Sequence, residues 1–276
     1  MVHYRLAARA VSGAFSAKVV PPVFAGWMSC IACVRTARRM TNLRKKGKCM
    51  ELVYKGKTKD VYRLADGNFL LRFKDDVTGT DGVFDPGANT VGAKIDGNGK
   101  NCLLLTRYFF EALAAEGIKT HYVGSDPDAV TMTVEPCRPF GKGLEVVLRY
   151  KAVGSFFRRY GDYCQEGQDL PGLVEMTFKD DARNDPLVIK DALVMLGVMS
   201  GDEYDTLKDM TLKIGAVVKK KLAEHGLDLY DIKFEFGRNA KNELLLIDEI
   251  SAGNMRCFRG GKWLQPDEVV AAVLGK

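Results

Sequence analysis

The sequence predicts an α+β protein. Two observations carry that class. Strand-like segments separated by tight turns run over residues 51–74, and a long helical pattern over 204–225 leads straight into a second strand pair over 229–247. At 276 residues the chain has room for one large or two modest domains with an ample core.

Residues 1–49 stand apart from the rest. The first 50 residues hold ten Lys and Arg and no Asp or Glu, and the remainder carries 31 basic against 35 acidic residues, a net −4. An organellar transit peptide, a basic arm and a start assigned too early all fit the first 49 residues. The third is favoured, with Met50 as first residue, because structure-like sequence begins there without delay. Each reading has this segment add little to the core. The mildly acidic body speaks against a nucleic-acid footprint, and no apolar run reaches the roughly 18 residues of a membrane span. Seven scattered cysteines include one CxxC pair, Cys30 and Cys33, and no second pair to complete a zinc site. Free thiols and a reducing, cytoplasmic compartment are expected.

From Met50 the elements follow in order. Segments 51–54 and 59–64 read as strands, Ala65-Asp66-Gly67-Asn68 as a hairpin turn, and 69–74 as the next strand. Between the first two lies Lys55-Gly56-Lys57-Thr58-Lys59. A glycine permits close backbone approach and lysines two apart point to one side, which suits a phosphate clamp or simply a solvated turn. Residues 75–87 carry loop chemistry, with Gly, Asp, Thr and Pro in close succession. A helix is expected over 101–115 with Gly117 as its stop, then a strand over 130–134.

Residues 144–150 read as a strand with Glu145, Val147 and Arg149 on one face and Val146, Leu148 and Tyr150 on the other. Ser155 follows as an expected N-cap of a short helix. Residues 176–186 form a polar loop after a short apolar run, and Asp185-Pro186 is placed to start a helix. Ser200 and Glu203 make a capping box for the long helix, which Gly226 ends. Pro266-Asp267-Glu268 opens a last helix through Leu274.

The most informative stretch is 229–237 with its return strand 244–247. Alternation puts Asp231, Lys233 and Glu235 on one face and Ile232, Phe234 and Phe236 on the other. The return strand ends in Asp248-Glu249, so Glu235 and Asp248 can come close. Two hard carboxylates beside a lysine suit magnesium and a polyphosphate; a solvated hairpin with a surface ion-pair ladder is the plain alternative. The three histidines, His3, His121 and His225, fall in no pattern of a Ser-His-Asp triad or a metal site.

Taken together, four ordered motifs resemble the SAICAR synthetase family. They are 54–62, containing Gly56-Lys57-Thr58-Lys59; 145–155, ending Lys151-Ala152-Val153-Gly154-Ser155; 229–237; and Asp248-Glu249-Ile250-Ser251 with Arg256. The resemblance runs from about Met50 to the C-terminus. One departure is visible: Ala252-Gly253 stands where the family usually has Pro-Asp.

The resemblance implies an N-terminal antiparallel β domain over 50–136 and a larger ATP-grasp-like domain over 137–276, with ATP in the cleft between them. It implies a ligase of purine biosynthesis that joins L-aspartate to 5-amino-1-(5-phosphoribosyl)imidazole-4-carboxylate (CAIR), using ATP and Mg2+. Glu235 and Asp248 would hold magnesium. Lys57, Thr58 and Lys59 would clamp the ATP phosphates, with Lys233 and Lys179 at the nucleotide. Arg149, Ser155 and Arg256 would bind the anionic substrates, and Asp81 would line the imidazole site. Members of the family commonly form oligomers, which allows a homo-oligomer here. Two other classes stay open: a small-molecule kinase on a related fold, and a basic-armed nucleic-acid binder.

Overall fold

The structure, a computed structural model, describes residues 50–80, 83–84 and 90–275. The expectations for 1–49 and for Asp81 lie outside the described residues. Strands β1 (Glu51–Lys55), β2 (Lys59–Arg63) and β3 (Phe69–Phe73) come first, then β4 (Asp76–Thr80), β5 (Val83–Phe84) and β6 (Val91–Lys94). Helix α1 (Asn98–Ala115) leads to β7 (Tyr122–Asp126), β8 (Thr131–Val134), β9 (Arg138–Pro139) and β10 (Leu144–Lys151). Next are α2 (Gly154–Tyr160), β11 (Asp169–Phe178), α3 (Lys190–Met195) and α4 (Gly201–Ala223). The chain closes with β12 (Asp228–Arg238), β13 (Leu244–Ile247), β14 (Met255–Arg259), β15 (Lys262–Trp263) and α5 (Pro266–Leu274).

These elements make three antiparallel sheets. One runs in the order β1-β2-β3-β8-β7, a second β11-β10-β12-β14-β15, and a small third β5-β4-β6. In the second sheet, β9 and β13 both pair with the distal half of the long strand β12. The protein is thus a mixed helix-and-sheet fold, as expected.

One core joins the layers. The inner face of β12 places Ile232, Phe234 and Phe236 in it, each 1% exposed. Helix α4 lies against β10, β11 and β12 and buries Leu207, Ile214, Val218 and Leu222, each contributing roughly 1.5–3 kcal/mol when removed from water. Its approach is close enough that a Cβ on Gly215 would sit 2.0 Å from a Leu148 methyl, so a larger residue would force the Leu148 side chain to shift. The Ser200–Glu203 capping box forms at its start, worth about 1 kcal/mol.

Four local expectations are corrected. Residues 76–80 and 83–84 are strands rather than plain loop: β4 pairs with β5 and β6, and Val77 is buried in the process. Helix α1 starts three residues early and turns Leu103, Phe109, Phe110 and Leu113 fully inward, leaving Leu104 and Tyr108 only partly buried. Val153, not Ser155, is the N-cap residue of α2. No helix begins at Pro186, because Leu187 bridges Thr177 and Val188 donates to the Met176 carbonyl. That edge pairing holds the chain extended until α3. No described helix is long and apolar enough to cross a membrane, and Cys102, Cys137, Cys164 and Cys257 are free thiols.

Candidate active site

Register builds the site. Strand β10 runs antiparallel to β12 with Glu145 opposite Glu235, Val147 opposite Lys233 and Arg149 opposite Asp231. On the other side of β12, Glu235 stands opposite Ile247, the last residue of β13. Asp248 therefore leaves the sheet beside Glu235. Its backbone turns through φ 66°, the left-handed region that few non-glycine residues adopt. This turn sends Asp248 and Glu249 into a cleft that they wall together with Lys57, Thr58, Lys179 and Lys233.

The charges in the cleft are paired. Lys179 Nζ lies 2.6 Å from Glu235 Oε1, and Lys233 Nζ lies 2.7 Å from Glu145 Oε1. Lys59 is buried beneath them, 3.0 Å from Asp248 Oδ1 and hydrogen-bonded to Glu249. Burial opposes the Lys59 ammonium, but Asp248 and Glu249 outweigh it and hold its pKa above the lysine range. Burial likewise opposes the Lys179 and Lys233 ammoniums, and Glu235 and Glu145 respectively overcome it. The two carboxylates diverge. Burial and the neighbouring Asp248 push Glu235 upward, whereas Lys59 and Lys179 overcome burial at Asp248 and hold it down.

The two lysines expected in a phosphate clamp point apart. Lys57 is exposed and paired with Asp181 across the cleft mouth, while Lys59 is turned inward onto the carboxylates. Gly56 serves the turn itself: its N–H donates to the Lys59 carbonyl, and a Cβ there would sit 2.6 Å from that oxygen.

A second polar cluster forms at the other end of β10. Arg149, 3% exposed, donates from Nε to Glu175 at 2.5 Å, from Nη1 to Asp231 at 2.9 Å and from Nη2 to Ser155 Oγ at 2.8 Å. Arg256 reaches the same Asp231 oxygen at 2.8 Å, and Arg159 reaches Glu175 at 2.6 Å. Arg149, Ser155 and Arg256 are thus brought together, with two carboxylates already engaged in the fork. Gly154 has φ +56° and packs under Arg256, where a Cβ would lie 2.7 Å from the guanidinium carbon.

Among the described residues no group of three or more His, Cys, Asp or Glu is preformed to hold a metal ion. Magnesium commonly takes only one or two carboxylates and completes its shell with water and substrate phosphate. The donors here suit that mode. Glu249 Oε2 is buried without a hydrogen-bond partner, and Glu235 and Asp248 offer hard oxygens beside it.

Four residues were not expected at the site. Glu145 shares a strand face with Arg149, and Glu249 follows Asp248, so both carried a local signal. Glu175 and His121 carried none. The His121 ring, 5% exposed, is placed by a contact with Asp248.

The sequence and the fold both have counterparts among known proteins. A protein-family model described as SAICAR synthetase matches residues 52–269. A phosphoribosylaminoimidazole-succinocarboxamide synthase of Clostridium tetani is 58% identical over 218 residues, covering 79% of this chain and 96% of its own. The protein of the same name from Thermotoga petrophila is 38% identical over 215 residues, covering 78% of this chain and 88% of its own. A solved SAICAR synthetase in complex with ADP is 29% identical with a TM-score of 0.71, covering 81% of this chain and 97% of that one. The chain belongs to the SAICAR synthetase family.

Proposed function

We propose that this chain is an ATP-dependent ligase that joins L-aspartate to CAIR, yielding the succinocarboxamide SAICAR, ADP and phosphate. The observation that carries the reading is the cleft itself: Lys57, Lys179 and Lys233 surround Asp248 and Glu249, whose buried Oε2 lacks a partner. The names of the relatives and the ADP bound to a structural neighbour support it.

The chemistry explains the residue types. A carboxylate resists attack by an amine because oxide is a very poor leaving group. Attack by the CAIR carboxylate oxygen on the γ-phosphorus of ATP expels ADP and leaves an acyl phosphate. The aspartate amine then attacks the acyl carbon, loses a proton, and phosphate departs. Glu235 and Asp248 would hold magnesium, with Glu249 Oε2 as a further oxygen. Bound there, the ion would neutralise charge on the triphosphate. Lys57 and Thr58 would meet the phosphates at the cleft mouth, and Lys179 and Lys233 would face the transferring group. Lys59 would fix Asp248 and Glu249 from below and balance their charge.

Arg149, Ser155 and Arg256 would anchor the ribotide phosphate. Arginine forks suit such anions, and Asp231 and Glu175 would hold the forks in place beforehand. Asp81 would line the imidazole site. Residues 50–136 would form the N-terminal lobe and 137–276 an ATP-grasp-like lobe, with the nucleotide between them. Catalysis would rest on positioning and electrostatics, with no covalent nucleophile.

The test is ADP release by the full chain with Mg-ATP and CAIR, with and without L-aspartate, while product mass is followed. ADP and SAICAR rising together only with aspartate is the expected result. Equal ADP release without aspartate, with a phosphorylated product, would replace this reading with a kinase.

A further inference from the structure

Asn254 ends the short 3₁₀ turn Ala252–Asn254, between the cleft carboxylates and Arg256. Its Oδ1 accepts from the Ser251 backbone N–H at 2.9 Å and from Ser251 Oγ at 3.0 Å. Ser251 Oγ in turn accepts from the Gly253 N–H at 3.2 Å. Ser251 is completely buried, so this small network is shielded from water. An N–H can donate only to the amide oxygen, which fixes the orientation of the side chain. Oδ1 must face Ser251, and Nδ2 with its two donors must face away.

Asn254 lines the same cleft as Lys233, Asp248 and Glu249. Among the described residues, none accepts a hydrogen bond from its Nδ2. Ala252 and Gly253 bring no polar side chain, so Asn254 is what this turn presents. The result is an oriented, neutral amide donor in a cleft that also holds the ammonium groups of Lys57, Lys74, Lys179 and Lys233 and the hydroxyls of Thr58 and Thr78.

We infer that Asn254 is a substrate-positioning residue whose amide N–H donates to the carboxylate of the ribotide; this rests on the ligase reading above. The reacting carboxylate must lie between the γ-phosphate and the anchor of the ribose phosphate. Asn254 stands in the segment that links Glu249, on the metal side, to Arg256, in the arginine cluster. A neutral donor is suited to this place. It orients the oxygen without drawing off the charge that makes it nucleophilic, as an ammonium would. It also stays matched to the oxygen once that oxygen has become part of an acyl phosphate.

The test uses the full chain and two variants. Asn254→Asp is isosteric and keeps an acceptor over Ser251, but puts an anionic oxygen where the donor was. Asn254→Ser adds no charge, and its hydroxyl ends a bond short of the Nδ2 position, which withdraws the donor from the cleft. The KM for CAIR should rise about tenfold or more in both. The KM values for Mg-ATP and L-aspartate should stay within about threefold, and calorimetric binding of CAIR should weaken in parallel. A wild-type KM for CAIR in Asn254→Ser would overturn the inference while leaving the ligase reading intact. So would an equal rise in all three KM values. Absence of SAICAR formation by the wild type would remove both.

Discussion

His121 Nε2 lies 3.1 Å from the backbone carbonyl oxygen of Asp248, a residue 127 positions later. The residue is pinned in turn. The His121 backbone N–H donates to Leu246 O at 3.0 Å, the Glu135 backbone N–H donates to His121 O at 2.7 Å, and Phe110 meets the ring edge-on. A carbonyl accepts, so the proton sits on Nε2. This contact holds the left-handed turn that aims Asp248 into the cleft, and such turns persist only when their surroundings fix them. His121→Phe should therefore lower kcat at least tenfold and raise the magnesium concentration for half-maximal activity. His121→Gln, whose amide can reach the same carbonyl, should recover part of both. Equal losses in the two variants would leave His121 a mere space-filler.

The same residue predicts a pH effect on stability. Burial lowers its pKa to about 4. A histidine held neutral in the fold takes up its proton earlier when unfolded, so its contribution is whole above pH 6.5 and fades as pH falls toward 4. Between pH 7 and pH 4 the wild type should lose roughly 3 kcal/mol more stability than His121→Gln, at 1.36 kcal/mol per pKa unit. Denaturant melts of both proteins at the two pH values measure this. Parallel losses would show that the imidazole does not titrate in that window.

Lys59 makes a separate prediction. It is the buried counter-charge of two carboxylates. Lys59→Met would leave Asp248 and Glu249 facing each other without it. Removing one partner of a buried ion pair costs about 3–5 kcal/mol. Urea unfolding should show a loss of that size, and saturating magnesium should restore part of it by supplying positive charge.

At Gly154 the chain tolerates no side chain, for two reasons at once: φ is +56° and the Arg256 guanidinium lies where a Cβ would go. The backbone conformation alone costs an L-residue roughly 1–2 kcal/mol. Gly154→Ala should lose about that much stability and displace Arg256, raising the KM for CAIR more than that for ATP. A variant with altered melting but unchanged KM would separate the turn from the anion cluster.

Much of this was legible locally, and what was not has a physical reason. The alternation in β12 separates Phe234 from Glu235 by period alone, and the Ser200–Glu203 box and Pro266 mark helix starts by cap chemistry. Strand β11 escaped notice because Pro171 and Gly172 interrupt it and its first half is largely exposed; only from Val174 is it buried. Glu175, which holds Arg149, went with it. Ser155 looked like a cap because caps favour serine, yet its hydroxyl is taken by Arg149 from the neighbouring strand. Pairs such as Lys59 with Glu249, separated by 190 residues, are set by sheet topology, which no short window contains.

Asp248 gives the last prediction. It lies between Lys59 and Lys179, which hold it ionised, and beside Glu235, whose pKa burial and Asp248 itself raise. Asp248→Asn removes one carboxylate of the proposed magnesium pair and leaves Lys59 with Glu249. The fold should survive, because that buried pair remains. Turnover should fall by two orders of magnitude or more, the scale of removing one preorganised electrostatic group. Calorimetry should show ADP binding that no longer tightens when magnesium is added. Relief from the neighbouring charge should also let Glu235 ionise at lower pH. Wild-type turnover in this variant, or a magnesium-dependent ADP affinity equal to the parent's, would falsify the metal role of Asp248 and move it to Glu235 and Glu249.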